Sequence, residues 1–192
     1  MKIDQYIDKF CTNYNTSRTV AERLLAHAKE INISQGCTLV KFGTYNDTMF
    51  ILKSGICRAF IPKQECGVTQ WFAFGGEMVA SMSCYYGQTS STIEIEAETN
   101  CEMFVIEKTK LENLCAIQID IANIIRRMFE RHAFVYEENI QAVFGCSDAM
   151  ERYLSLLKRH PELLQNVPLK KLASYLLVTP QSLSRIRTNL KE

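Results

Sequence analysis

The chain has 192 residues, 47% of them apolar and 22% charged, enough to bury a sizeable core in one or two small domains. Eight glycines and four prolines are too few for a low-complexity or disordered polymer, and no hydrophobic run reaches membrane-spanning length. The formal net charge of +1 gives no overall nucleic-acid signal, and the N-terminal MKIDQYIDKF lacks the apolar centre of a signal peptide, so the expected location is the cytoplasm.

Taken in order, residues 3–31 predict one or two helices, with Ile3, Tyr6, Ile7 and Phe10 on one face and Val20, Leu24, Leu25 and Ala28 on another. Ser17 or Thr19 caps the second. From Ile33 the period changes to short β-rich runs: 38–41, 49–52, 56–61, 68–74, 92–97 and 101–106. Turn signals separate them, among them Gln35-Gly36, Ser54-Gly55 and Gly75-Gly76, and the pattern predicts a small all-β roll or sandwich.

Helical period returns from Lys108 to about Val143. Leu114, Ile117, Ile121, Ile124, Met128 and Val135 recur at steps of three and four, interrupted by Arg131. So long a helix either lies packed on the β-roll or forms a seam against a second copy of the chain, and the seam is the expected reading. Gly145 and Ser147 mark a hinge, Ser147 capping a further helix through Met150, Tyr153, Leu154, Leu156 and Leu157 that stops before His160-Pro161.

The last stretch, VPLKKLASYLLVTPQSLSRIRTNLK, spells two short helices and a tight turn. Pro168 opens the first, with Leu169, Leu172, Ala173 and Leu176 on its apolar face. Thr179 as N-cap and Pro180 at the first helical position open the second, whose apolar stripe is Leu183, Ile186 and Leu190. Gln181, Ser184, Arg185 and Thr188 fall on the opposite face, able to meet base edges or phosphates. Arg187 and Lys191 flank it and suit phosphates, and Thr179 and Ser182 complete the expected DNA-facing set; the alternative is an ordinary helical hairpin with solvated polar faces. Charge agrees: from Glu151 onward eight basic residues face three acidic ones, whereas the remainder holds 14 basic and 18 acidic. One position is unfavourable, because Leu177 stands where the turn wants a residue tolerant of positive φ, at a cost of about 1 kcal/mol or more.

The eight cysteines (Cys11, Cys37, Cys57, Cys66, Cys84, Cys101, Cys115 and Cys146) form no Cys-x-x-Cys or Cys/His cluster, so no metal or iron–sulfur site is expected. In a reducing compartment they read as small buried hydrophobes or incidental thiols. The three histidines sit in no recognisable nucleophile or acid–base constellation, so the sequence does not read as an enzyme.

The order of helix, glycine-punctuated β-roll, long helix and helix-turn-helix resembles the Crp/Fnr (cyclic-AMP receptor protein/fumarate-nitrate regulator) family of bacterial transcription regulators. Gly36, Gly55, Gly76-Glu77 and the terminal TPQSLSRIR carry the likeness, which spans nearly the whole chain. It implies an α+β protein with a double-stranded β-roll (cyclic-nucleotide-binding-like jelly roll), a long dimerisation helix and a C-terminal helix-turn-helix without a full wing. The implied boundaries are 1–107 for the sensor, 108–144 for the dimer helix and 145–192 for the DNA-binding domain. The implied partners are double-stranded DNA with a two-fold symmetric site, a second copy of the chain and RNA polymerase, with no membrane. Gln181 and Arg185 fall on the family's base-reading positions, and Pro180 replaces a third reader with a residue that has no donor.

The family's ligand cassette corresponds here to Gly76, Glu77, Met78, Ser90, Ser91 and Thr92. Its phosphate-binding arginine position falls on Ser90, and no lysine or arginine lies between Lys63 and Lys108. A cyclic phosphate would lose about 1.5–3 kcal/mol of charge-assisted bonding, so control by cyclic AMP is not expected and no cofactor is predicted. Another effector, or simple filling by Trp71, Phe72, Phe74, Tyr85 and Tyr86, fits the sequence. The alternative to a DNA-binding regulator is a sensor or interaction protein of this fold that no longer reads DNA, suggested by Leu177, Pro180 and the missing wing.

Overall fold

The computed structural model describes residues 3–63, 66–146 and 148–190. Two helices come first, α1 (Ile3–Tyr14) and α2 (Arg18–Ala26), the second capped by the Ser17 hydroxyl, which accepts from the Val20 N–H. The helical reading of residues 3–31 fails at its end. Residues 29–33 form β1 (Lys29–Ile33), because Ile31 and Ile33 alternate with polar residues and pair antiparallel with Met103 and Cys101.

Seven further strands follow among the described residues: β2 (Thr38–Val40), β3 (Met49–Ser54), β4 (Ile56–Ile61), β5 (Val68–Phe74), β6 (Met78–Val79), β7 (Glu94–Ala97) and β8 (Cys101–Ile106). A single-turn helix, α3 (Met82–Tyr85), interrupts them after β6. They build two four-stranded antiparallel sheets, β1-β8-β3-β6 and β2-β7-β4-β5, stacked face to face over a core that includes Leu52, Cys57, Trp71, Ile95 and Met103. The β3–β4 corner turns at Gly55 (φ +99), where a Cβ would stand 2.6 Å from Asn100 O and 2.6 Å from Cys101 Sγ. Only glycine fits there, which ties the two sheets closely at that corner.

The expected single helix from Lys108 is two, α4 (Lys108–Ile117) and α5 (Ile119–Phe144), broken at Gln118 (φ −123°, ψ 98°). The break lets α5 lie against α1 and α2. There Ile121, Ile124, Ile125 and Met128 enter the core with Tyr6, Phe10 and Leu24, Arg23 pairs with Asp120, and Arg127 donates to the carbonyls of Tyr14 and Asn15. This corrects the predicted seam. Ile121, Ile124 and Met128 are at most 1% exposed and leave no surface for a partner, Leu114 packs against the same core, and Val135 is half-buried. Only Ile117 is open, at 82%, and it lies on α4.

Past α5 come α6 (Ala149–Arg159), α7 (Leu163–Asn166), α8 (Leu169–Tyr175) and α9 (Pro180–Asn189). Asp148 caps α6 by accepting from Glu151 N–H; the expected cap, Ser147, lies outside the described residues, as do Lys191 and the side chain of Ile3. Their shared core of Tyr153, Leu156, Leu163, Leu172, Ala173, Leu176 and Leu183 also takes in Ile56 and Phe72 from the roll. Two details shift: Pro168 is the cap of α8 rather than its first residue, and Leu190 is 44% exposed instead of completing the α9 stripe.

Candidate functional site

Strand alternation and the glycine turn at Gly76 (φ +93) fix the first half of the expected ligand cassette. Tyr14 OH donates to Gly76 O at 2.8 Å, and Met78 is buried in the core beside α5. Glu77 accepts from Phe74 N–H at 2.9 Å and approaches Arg131 of α5 at 4.0 Å. Burial raises its carboxyl above the ordinary range, against the pull of that N–H and of Arg131 and Lys9. Arg131, the residue that interrupted the apolar seam, therefore has an intramolecular purpose. It shares with Glu77, His132, Asn139 and Tyr14 a small cavity of about 30 Å³.

The larger cavity, about 410 Å³, opens between the roll and α5 and is lined by Gln70, Trp71, Ser81, Met82, Ser83, Thr92, Ile93, His132 and Tyr136, among others. Glu77 does not line it; its side chain turns to Arg131 instead. Of the six cassette residues only Thr92 reaches this cavity. Ser90 is exposed, and Ser91 is 2% exposed behind the wall, its hydroxyl 2.8 Å from that of Ser81 and bonded to Ile93 O. No lysine or arginine among the described residues lines the cavity. Its polar content is serine and threonine hydroxyls, Gln70, Tyr136 and a His132 ring, whose pKa burial lowers and which meets the Trp71 ring edge-on at 6.0 Å. Such a wall donates and accepts hydrogen bonds but offers no fixed positive charge to an anion.

At the other end of the chain, α8 and α9 pack through Leu172, Ala173, Leu176 and Leu183, the last fully buried. The turn between them holds Leu177 at φ +54°, half exposed, as its position predicted. Thr179 Oγ1 accepts from Ser182 N–H at 3.1 Å and pairs with Ser182 Oγ at 2.9 Å, while Thr188 Oγ1 donates to Ser184 O at 3.1 Å. These three hydroxyls are engaged within α9. Gln181, Ser184 and Arg185 are exposed on one face, Arg187 is half-buried beside Leu169, and no hydrogen bond among the described residues engages the side chains of Gln181, Arg185 or Arg187.

Residues 30–118 match the family model of the cyclic nucleotide-binding domain. The fold as a whole is shared with solved regulators. The c-di-GMP responsive global regulator CLP of Xanthomonas campestris is 18% identical, with a TM-score of 0.68 over 91% of this chain and 92% of that one. FixK2 of Bradyrhizobium japonicum is 16% identical, with a TM-score of 0.70 over 85% and 84%. A transcriptional regulator of the Crp/Fnr family from Eubacterium rectale is also 16% identical, with a TM-score of 0.63 over 92% and 84%. The chain shares the fold of these regulators, and its residues 30–118 are similar to a cyclic nucleotide-binding domain. No curated protein sequence matches it, and no helix among the described residues is long and apolar enough to cross a membrane.

Sequence reasoning missed a contact of the C-terminal helices: α8 is fastened to the outer face of its own roll. Lys171 Nζ donates to Glu98 at 2.8 Å and to Glu96 at 2.9 Å, and Glu96 also accepts from Arg58 at 2.8 Å. Arg58, 1% exposed, donates through Nε to Thr69 Oγ1 at 2.8 Å, and Thr69 Oγ1 in turn donates to Lys171 O at 3.2 Å. Ser174 Oγ accepts from Thr69 N–H at 2.8 Å and donates to Gly67 O at 2.9 Å. Burial works to raise the Glu96 carboxyl, but bonds from Lys171 and Arg58 hold it below its usual value, whereas burial leaves Glu98 raised. The Phe72 and Tyr175 rings meet edge-on at 5.3 Å beside this network, and Phe74 stacks on His160 at 4.3 Å. A signal existed: Arg58 is the one charge in ICRAFI, and IEIEAE alternates carboxylates beside it.

Proposed function

We propose that the chain is a sequence-specific DNA-binding transcription regulator of the Crp/Fnr type. In this reading α8 and α9 form a helix-turn-helix, with α9 entering the major groove. The observation that carries it is the α9 face. Gln181, Ser184 and Arg185 stand clear of solvent-excluded packing on a helix whose other side is anchored by Leu183, and Arg187 adds charge at the edge. Arg185 can hold guanine O6 and N7 with two donors, and Gln181 can pair with adenine N6 and N7. Thr179, Ser182 and Thr188 serve the helix itself, leaving phosphate contacts to Arg187 and Lys191.

A two-fold symmetric site requires two copies. The predicted seam being buried, dimerisation falls to the exposed stripe Ala133, Tyr136, Ile140 and Phe144, spaced three and four residues apart on α5, with Phe144 72% exposed. Two such stripes would set two α9 helices for half-sites about 34 Å apart. Cyclic AMP is not the effector in this reading, because the described residues put no lysine or arginine in the wall of the 410 Å³ cavity; an uncharged effector fits it better. Selection of binding sites from random duplexes at low salt tests the reading, which predicts enrichment of a two-fold symmetric sequence. Absence of any enriched site, with the protein folded and dimeric, would favour a sensor of the same fold that does not read DNA.

A further inference from the structure

Cys57, second residue of β4, and Cys101, first residue of β8, belong to opposite sheets, yet their sulfurs lie 4.0 Å apart at the corner closed by Gly55. Both are buried. The neighbours of this pair are the groups that seat α8. Ile56 donates its N–H to Thr99 Oγ1 at 2.9 Å and accepts from Glu98 N–H at 2.8 Å, Cys101 Sγ lies 3.5 Å from Ile56 O, and Ile56 also packs in the core of α6–α9. Glu98 is one of the two carboxylates that hold Lys171.

We propose that Cys57 and Cys101 form a reversible, hydroperoxide-driven disulfide that alters the seat of α8 on the roll. The Cys57 thiol and the Thr99 hydroxyl favour the Cys101 thiolate, lowering its pKa to about 7 against the effect of burial, while Cys57 is raised. In the proposed step Cys101 Sγ is the attacking atom and Cys57 Sγ, 4.0 Å away, the resolving one. Cys101 Sγ takes one oxygen from the hydroperoxide, breaking the O–O bond and releasing water or an alcohol, and becomes a sulfenic acid. Cys57 Sγ then attacks that sulfur, the S–S bond forms, the S–O bond breaks, and the hydroxide leaves as water with the Cys57 proton. Two thiols are oxidised and one peroxide is reduced. The sulfurs must close from 4.0 Å to about 2.05 Å. Ile56 adjoins Cys57 and is bonded to Glu98 N–H and Thr99 Oγ1, so the movement passes to the Glu98–Thr99 segment and from there to Lys171.

The consequence for DNA rests on the regulator reading, but the disulfide and its effect on α8 do not. Full-length reduced protein is treated with hydrogen peroxide, its remaining thiols are alkylated, and its peptides are mapped by mass spectrometry. Hydrogen exchange is followed at Leu169–Tyr175 in the same samples. The expected result is a Cys57–Cys101 linked peptide two hydrogens lighter than the free pair, faster exchange in α8, and restoration of both by a thiol reductant. Cys101→Ser abolishes the link and keeps α8 exchange at the reduced level under peroxide; Cys57→Ala does the same should the first variant not fold. Recovery of both cysteines alkylated, with oxidation confined to exposed Cys37, overturns the proposal. A link without any change in α8 overturns the switch. On a selected DNA site the oxidised protein binds at least about fivefold more weakly than the reduced. If reduced protein binds no DNA while the link and the α8 change are both found, the regulator reading fails and the switch stands.

Discussion

Replacing Lys171 by methionine removes the one cation that bridges Glu96 and Glu98 and keeps most of the aliphatic stem. Glu98 is 2% exposed and loses both of its bonds to Nζ, at 2.8 and 3.0 Å, whereas Glu96 retains Arg58. Breaking a fully buried pair by removing one partner costs about 3–5 kcal/mol. The Lys171 side chain is 25% exposed, so water partly screens the pair, and about 2 kcal/mol is expected at pH 7. Urea unfolding of the wild type, Lys171→Met, Glu98→Gln and the double variant measures this as a thermodynamic cycle. The penalty in Lys171→Met is the stranded Glu98 charge, so adding Glu98→Gln should recover about 1 kcal/mol or more. Additive effects of the two substitutions, within about 0.5 kcal/mol, would refute the argument that this pair seats α8 on the roll.

Leu177→Gly should stabilise the protein by about 1 kcal/mol, seen as a raised thermal midpoint, since Leu177 sits at φ +54° and its side chain is half exposed; a loss of stability would mean that its contacts outweigh the backbone strain. Burial lowers the pKa of both His132 and His160, Glu162 opposing it at the latter. The folded state thus binds fewer protons than the unfolded one below about pH 6.5, and the stability these rings contribute is present above that pH and lost as pH falls through it. Thermal melts from pH 7.5 to 5.5 should show the decline, and His132→Gln with His160→Gln should flatten it; an unchanged slope would assign the decline to other groups.

How legible the fold was depended on whether local pattern and tertiary contact agreed. The runs 56–61, 68–74 and 101–106 are strands with those bounds, because β-branched and aromatic residues bracketed by glycine turns leave little choice. The break at Gln118 had no such marker. Neither glycine nor proline stands there, and the turn is imposed by Ile121, Ile124 and Met128 seeking the core under α1 and α2. That same tertiary demand removed those residues from the predicted seam, since a three-four spacing states that a helix has an apolar face but not what covers it. At the site, Leu177 was readable from a backbone requirement and Thr179 from capping chemistry. The direction of Glu77 was not, because it depends on Arg131, 54 residues away in sequence and brought near only when α5 packs on the roll. The α8 seat was half hidden for the same reason: Arg58 within ICRAFI and the carboxylates of IEIEAE stand out in their strands, but nothing local links them to Lys171, 73 residues beyond Glu98.

In the proposed function the exposed face of α9 reads DNA. Equilibrium binding to a selected two-fold symmetric duplex, measured for the wild type and Arg185→Ala over a range of salt, addresses it most directly. Binding should weaken linearly in log salt as phosphate contacts release counterions. Arg185→Ala should lose about 1–3 kcal/mol on that duplex and discriminate less at the base it contacts, while its dimerisation and thermal midpoint stay as in the wild type. Equal affinity of the two proteins for the selected duplex, or wild-type binding no tighter than to random DNA at every salt, would contradict the claim.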